Sequence, residues 1–487
     1  MTFTGTTSNF ATDHGYQGDL GGKIAGYKEL EENYENIHAA AIHSDYSAHL
    51  SVRNCTFDEL GTNGIYLDGG NHNTVLKGNS FTDSAMCAAI FGKQNTLWSF
   101  AEGQSNLIID NNYVYNIGTD YTGSPGFHIT RTNNIAFTHN SMIHTPYSGL
   151  MIGWIRLPST AITVHNAEVA YNRCEDNLFA MNDGAGLYFC GANALTSEAA
   201  VMNRVHDNYV KSTGYTKTYN GIYLDMNASN YYVYRNVIEG FDTGHGPVFN
   251  QDHMSDQYTY NNTVADNFTT VRLITTTAEA NRNIQLINNQ HFPKAADLPE
   301  EALAIIAATG QIKEYAASVP QKDTVIEMDV KEPHIMMARQ DFSDEDSVTF
   351  TITNNGKETA SYSVVYTNKT EKSSELVPST DALKLKTGET GTIKVAFRSG
   401  DKTVRGELVD LAVVKDNGWK MQYHRVIDID VNSSTAKAEE EGINIQKLLP
   451  FIIGSAVIIV LTAVVSVVLV KKKSKKKKEA QNEIKNE

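Results

Sequence analysis

From about Asn36 to Phe292 the apolar residues of this chain alternate in short runs and show no helical spacing, and the runs recur. One half of the repeat is a pair of asparagines bracketing an alternating stretch: Asn73/Asn79, Asn106/Asn112, Asn134/Asn140, Asn166/Asn172, Asn230/Asn236 and Asn283/Asn289, with degenerate copies ending at Asn54, Asn203 and Asn262. The other half is a five-residue run, small, apolar, any, apolar, any. It appears as GIYLD ending at Asp68, AAIFG at Gly92, GFHIT at Thr130, GLMIG at Gly153, GLYFC at Cys190, GIYLD at Asp225 and GPVFN at Asn250.

Side chains alternate across a strand, so the second and fourth positions of each run face a core and the third and fifth face the other way, toward solvent. Short strands repeating every 25 to 33 residues, punctuated by Asn and Gly and free of helical stretches, predict a right-handed parallel β-helix over residues 36–292. Each repeat is one coil, and stacked asparagine turns form a ladder, because Asn tolerates a left-handed backbone and bonds its neighbours' peptide groups. Residues 1–35 read as an N-terminal remnant or cap.

After Phe292 the pattern changes. PKAADLPEEALAIIAATG carries Asp297 as an N-cap, Pro299 in the first turn and Gly310 as a stop, so 293–321 reads as a helical segment capping the open end of the solenoid. Residues 322–432 hold about six alternating runs with NNG and SGD turns, which predict an Ig-like β-sandwich acting as a spacer or accessory module. A linker at 433–447 leads to Leu448–Val470, 23 residues without a charge, followed by KKKSKKKK in a basic tail at 471–487. At ~1.5 Å per residue such a helix crosses a ~30 Å hydrocarbon core, and the lysines place the tail in the cytoplasm and everything before Leu448 outside. No basic start or apolar run follows Met1. A protein of this orientation needs a signal peptide, so its true beginning is expected upstream.

Charge sharpens the picture. The whole chain carries −15, but the tail from Lys471 has eight Lys against three Glu, leaving 33 basic and 53 acidic residues in the body. A body near −20 excludes a nucleic-acid partner. Cys55, Cys87, Cys174 and Cys190 are too few and too irregular for a disulfide framework or a zinc site and read as buried small residues. No His, Cys and carboxylate set has metal-ligand spacing, so neither metal nor other cofactor is expected.

The third and fifth positions of the runs map one face of the solenoid. Gly92, Gly153 and Cys190 leave a groove there, and Tyr188, Tyr223 and Trp154 offer flat faces with polar tips that suit sugar rings. His128 and Asn250 lie on the same face and complete the candidate substrate contacts. Glycosidic cleavage needs two carboxyl groups. Asp225 is the best single candidate, beside Tyr223, whereas Asp68 in the same local sequence sits ~24 Å away at ~4.8 Å per coil. Asp183, one coil below Asp225, is the favoured partner, provided the chain bends at Gly184–Ala185–Gly186; Asp252 and Glu239 are the alternatives. A turn role is the competing reading for any Asp beside Gly.

In NCTFDELGTNGIYLDGG, HNSMIHTPYSGLMIGW, DGAGLYFCGAN and NGIYLDMNASNYYVYRNVI, over about Asn36–Gly310, the chain resembles the right-handed β-helix glycoside hydrolases, most closely glycoside hydrolase family 141, whose activities include α-L-fucosidase and xylanase. The resemblance implies that Asp183 and Asp225 are the catalytic pair, acting on an oligo- or polysaccharide. Where family members show DGGAIY, this chain has DGAGLY, and the sandwich and membrane segment lie outside the likeness. Two other classes remain open: a polysaccharide lyase, with Arg131 or Arg156 beside the scissile sugar, and a non-catalytic glycan-binding or adhesive surface protein.

Overall fold

The computed structural model describes residues 1–4, 40–92, 103–153, 164–190, 202–211, 220–240, 248–250, 260–270, 283–331 and 339–433, apart from 182, 226–227, 318, 320–321, 330, 345, 371, 373 and 417–420. The apolar alternation of the first 290 residues builds three parallel sheets. One runs from Thr2–Thr4 to Gln290–His291 in ten strands, one from Ala40–Ser44 to Val248–Asn250 in eight, and one from Ser51–Arg53 to Gln285–Ile287 in nine. A coil visits them in turn: Tyr113–Tyr115 in the ten-stranded sheet, Phe127–Ile129 in the eight-stranded, Thr132–Thr138 in the nine-stranded. The strand Thr2–Thr4 pairs with Thr56–Asp58, so a strand of the solenoid lies ahead of Asn36, where the repeat first becomes readable.

Register stacks like on like. Phe57, Phe81, Val114, Met142, Cys174, Val210 and Ile238 follow one another in the ten-stranded sheet and are fully buried in the central core. Phe57 and Phe81 stack with centroids 4.6 Å apart. Cys87, Cys174 and Cys190 are free and buried, and Cys55 is half-buried.

The asparagines divide into two ladders. Asn73, Asn106, Asn134 and Asn166 take left-handed φ of 54 to 58° and link by amide bonds at the surface, each Nδ2 donating to the Oδ1 of the preceding coil at 2.8 to 2.9 Å. The second ladder runs Asn79, Asn112, Asn140, Asn172, Asn208, Asn236, Asn267, Asn289 and is buried as far as Asn267. Here the left-handed residue is the one before each ladder amide, such as Asn111, His139 or Tyr171. The expected ladder members Asn203 and Asn262 lie elsewhere; Asn208 and Asn267, five positions later, take the buried rungs. Every inner amide replaces peptide partners that the turn removes. Asn140 Nδ2 donates to Asn172 Oδ1 and Ile109 O, and its Oδ1 accepts from both the backbone and the side chain of Asn112.

The helix Glu300–Ala308 does not cover the end of the solenoid. Ala302 and Ile305 pack against Leu298 and the outward residues Tyr209, Val237 and Phe268 on the flank of the ten-stranded sheet, an apolar strip that matches the helix's own narrow apolar face. Asp297 ends a preceding 3-10 turn, and Pro299 holds the N-cap position. From there the chain runs back along the flank, against the order of the coils. Gly310 N donates to Tyr171 O, Gln311 Nε2 to Asn111 O, and Lys322 Nζ bonds both Asp58 and Asp83. The segment therefore touches the last coils first and the first coils last.

Residues Thr324–Asn432 form a four-stranded and a five-stranded sheet around one core that includes Ile326, Phe350, Ile352, Val395, Phe397, Leu411 and Ile429. Two residues of the solenoid, Phe179 and Ala180, belong to the same core cluster. Among the described residues no helix is long and apolar enough to cross a membrane, and the span expected over 448–470 lies outside them.

Candidate active site

The eight-stranded sheet sets the site. Its register stacks His43, Tyr66, Ile90, His128, Met151, Tyr188, Tyr223 and Phe249 on consecutive coils. The third positions expected to face solvent are instead buried: Tyr66, Ile90, His128, Met151, Tyr188 and Tyr223 are each 2% exposed or less. Register also corrects the last run. Phe249, not Val248, follows Tyr223, and Asn250 pairs with Leu224 and not with Asp225.

Asp225 ends the strand Asn220–Leu224, is 4% exposed, and has its N–H bonded to Phe189 O. Asp183 stands just ahead of the strand Ala185–Phe189 on the preceding coil and is half-buried. The bend that brings it back lies at Asp183 itself, whose φ is 56°, rather than at Gly184–Ala185–Gly186. Gly184 permits that return, since a Cβ there would come within 2.7 Å of Leu178 and Tyr147. Tyr147 fixes the turn by donating its hydroxyl to Asp183 O at 3.1 Å.

Two tyrosines brace the carboxylates crosswise. Tyr188, on the coil of Asp183, donates to Asp225 Oδ2 at 2.5 Å. Tyr223, on the coil of Asp225, reaches Asp183 Oδ1 at 3.5 Å and also hydrogen-bonds Asp225. Their rings lie 5.1 Å apart. A hydroxyl in contact with both carboxyl groups holds the nearest oxygens to about 7 Å or less, two hydrogen-bond lengths. Burial, then the charge of Asp225, pushes both phenols far above their ordinary range, so both stay protonated donors.

His128, Glu239 and Arg131 lie away from this pair. His128 is fully buried three strands from Tyr223, with Nε2 3.3 Å from Gly153 O; Nδ1 has no hydrogen-bond partner. Burial pushes its imidazole down to about 4. Glu239 belongs to the ten-stranded sheet, where Tyr209 and Lys211 hold it. Arg131 is buried in the turn after Phe127–Ile129 at φ 46°. Trp154, Arg156 and Asp252 lie outside the described residues. Among the described residues no group of His, Cys, Asp and Glu side chains is arranged to hold a metal.

Sequence reasoning passed over Tyr147 and the cross-bracing of Tyr188 and Tyr223. The repeat of Tyr two positions before Asp in NGIYLD was the signal available.

The profile of the family described as "Right handed beta helix region" matches residues 40–291, just over half of the chain. This chain belongs to the right-handed β-helix family. No curated protein sequence matches this right-handed β-helix protein. Among solved structures, one named as a glycoside hydrolase is similar at 19% identity and a TM-score of 0.40, over 61% of this chain and 46% of its own. The periplasmic alginate epimerase AlgG is similar at 16% identity and a TM-score of 0.33, over 50% of each. The E. coli chaperone DraB is similar at 10% identity and a TM-score of 0.17, over 23% of this chain and 57% of its own. This right-handed β-helix protein spans about half the length of the first two.

Proposed function

We propose that this chain is a glycoside hydrolase of the family 141 type, cleaving a fucosylated or xylan-type glycan with Asp183 and Asp225. The observation that carries the reading is the pair of tyrosines holding two carboxyl groups from adjacent coils around one point. Glycosidases place their two carboxyl groups ~5 to 9.5 Å apart, and the tyrosine bridge admits the part of that range up to about 7 Å. The environments also divide the labour. Asp225 is buried and receives a hydroxyl that stays protonated, which keeps its oxygen an acceptor suited to base or nucleophile. That leaves the acid's part to Asp183, the other carboxyl group of the pair.

In the reaction, Asp183 gives its proton to the glycosidic oxygen as the bond from that oxygen to the anomeric carbon breaks. Asp225 either takes a proton from the attacking water or bonds the anomeric carbon until water displaces it. The hydroxyls of Tyr188 and Tyr223 reach the two carboxyl groups, with their rings 5.1 Å apart. We further propose that residues 448–470 anchor the protein in a membrane with the β-helix outside, a reading supported by 23 uncharged residues ahead of a lysine cluster.

Purified full chain, screened on aryl α-L-fucosides, aryl β-xylosides, xylans and fucosylated oligosaccharides, tests the function. Turnover that Asp183→Asn and Asp225→Asn each cut by ~10²- to 10⁴-fold is the expected result. Wild-type activity that survives Asp225→Asn overturns it.

A further inference from the structure

The β-sandwich enters the wall of the coil that carries Asp183. Its last strand, Met421–Asn432, places Arg425 with no exposed surface against the solenoid. The guanidinium donates to Ile117 O at 3.1 Å, Gly118 O at 2.6 Å and Asn116 Oδ1, and the next residue, Val426, donates its N–H to Thr119 O. Four residues before Asp183, Phe179 lies under the same guanidinium, 4.8 Å from its ring centroid. Phe179 also stacks on His144 at 4.3 Å, and His144 Nδ1 bonds Asp176 Oδ2 at 2.6 Å. Between Phe179 and Asp183, Ala180 and Met181 both donate their N–H groups to Pro146 O. Tyr147, next to Pro146, holds Asp183 O.

We propose that Arg425 is a positioning residue for Asp183, so that the sandwich is a working part of the active site. The inference rests on the glycosidase reading above and adds to it the element that aims the acid. Asp183 has a left-handed backbone on a short turn whose near end is clamped at Phe179 and whose far end is the strand starting at Ala185. Asp tolerates the left-handed region better than most residues, so what aims its carboxyl group is the set of contacts at the two ends of the turn. The clamp is strong for a surface between modules. A buried guanidinium with three acceptors and an aromatic face loses several charge-assisted contacts at once if the sandwich moves. Release of Phe179 frees the turn to relax, and a carboxyl displaced by ~1 Å loses much of its proton-transfer efficiency.

The test uses the full chain with Arg425→Met, Arg425→Lys and Phe179→Leu; the last leaves every Arg425 hydrogen bond in place should Arg425→Met fail to fold. Two readouts apply. Amide exchange at Ala180 and Met181 is expected to quicken tenfold or more in Phe179→Leu and Arg425→Met, with the ladder amides of Asn140 and Asn172 as in wild type. Turnover of methyl and 2,4-dinitrophenyl glycosides of L-fucose and D-xylose separates positioning from general loosening, because dinitrophenolate leaves without a proton. Loss of kcat/KM on the methyl glycoside should exceed that on the dinitrophenyl glycoside at least tenfold, with Arg425→Lys in between. Equal loss on both substrates, or unchanged exchange at Ala180 and Met181, overturns the proposal. Unimpaired turnover of the methyl glycoside by Asp183→Asn overturns the glycosidase reading instead, while the exchange result still reports whether the sandwich holds the turn.

Discussion

The hydroxyl of Tyr188 lies 2.5 Å from Oδ2 of Asp225 on the next coil, buried with it, while Tyr223 of that next coil turns back toward Asp183. Each tyrosine thus serves the carboxylate of its neighbour's coil, and the two rungs hold each other in place.

Tyr188→Phe removes that donor with almost no change of shape. A buried carboxylate that loses one of its hydroxyl donors costs about 1–3 kcal/mol. Melting temperature and kcat should therefore fall together. An unchanged kcat would separate Tyr188 from the chemistry.

His128 supplies a pH signature. Its folded value of about 4 lies below an unfolded value of ~6.5, so the unfolded chain binds the extra proton between them. The neutral, buried form is favoured fully above ~6.5, and that preference is lost as pH falls toward 4, about 3 kcal/mol in all. His128→Met, similar in size and without a titrating group, should flatten stability between pH 7 and 4.5 relative to wild type. Parallel wild-type and variant unfolding curves across that range would sink the prediction.

The inner ladder is the most exacting feature of the solenoid. Asn140→Leu strands the N–H of Asn112 and the carbonyl of Ile109 inside the fold. At 1–3 kcal/mol per orphaned group the loss is about 3 kcal/mol or more, read by denaturant unfolding. The exposed amide of Asn134 makes the comparison: Asn134→Gly keeps the left-handed backbone and should cost less than about 1 kcal/mol.

Much of this was readable from alternation alone. The apolar positions of GIYLD and its relatives named the core face, and paired asparagines named the turns, because both follow from local geometry that repeats every coil. What the repeat could not reveal was whatever depends on one distant partner. The fifth asparagine of the inner ladder is Asn208 and not Asn203, as its bonds with Asn172 and Asn236 show. The Val248 run pairs one residue off the sequence count, because strand pairing and not spacing sets the register. Burial of Tyr188 and Tyr223 was hidden, since alternation reports which face a residue takes and not what lies over it. Arg425 sits at an ordinary polar position of YHRVIDIDV, and its partner Asn116 is 309 residues away.

Ile305 tests the path of the helical segment. It fills the strip formed by Tyr209, Val237 and Phe268, so Ile305→Ala should cost about 2–4 kcal/mol. A helix stacked over the end of the solenoid would leave those three tyrosine, valine and phenylalanine side chains indifferent to the change, and protection of their amides would not alter.

Stacked coils that touch only their neighbours melt from the ends, one after another, like a column losing its outermost discs. The strap from Leu298 to Lys322 ties the far coils to the near ones: Lys322 grips Asp58 and Asp83 while Ile305 grips Phe268. A coil peeling from the C-terminal end must drag on contacts at the opposite end, so fraying is converted into an all-or-none event. Cutting the strap at one peptide bond between Gly310 and Lys322 would then turn a single sharp transition into a drawn-out one without removing a single rung.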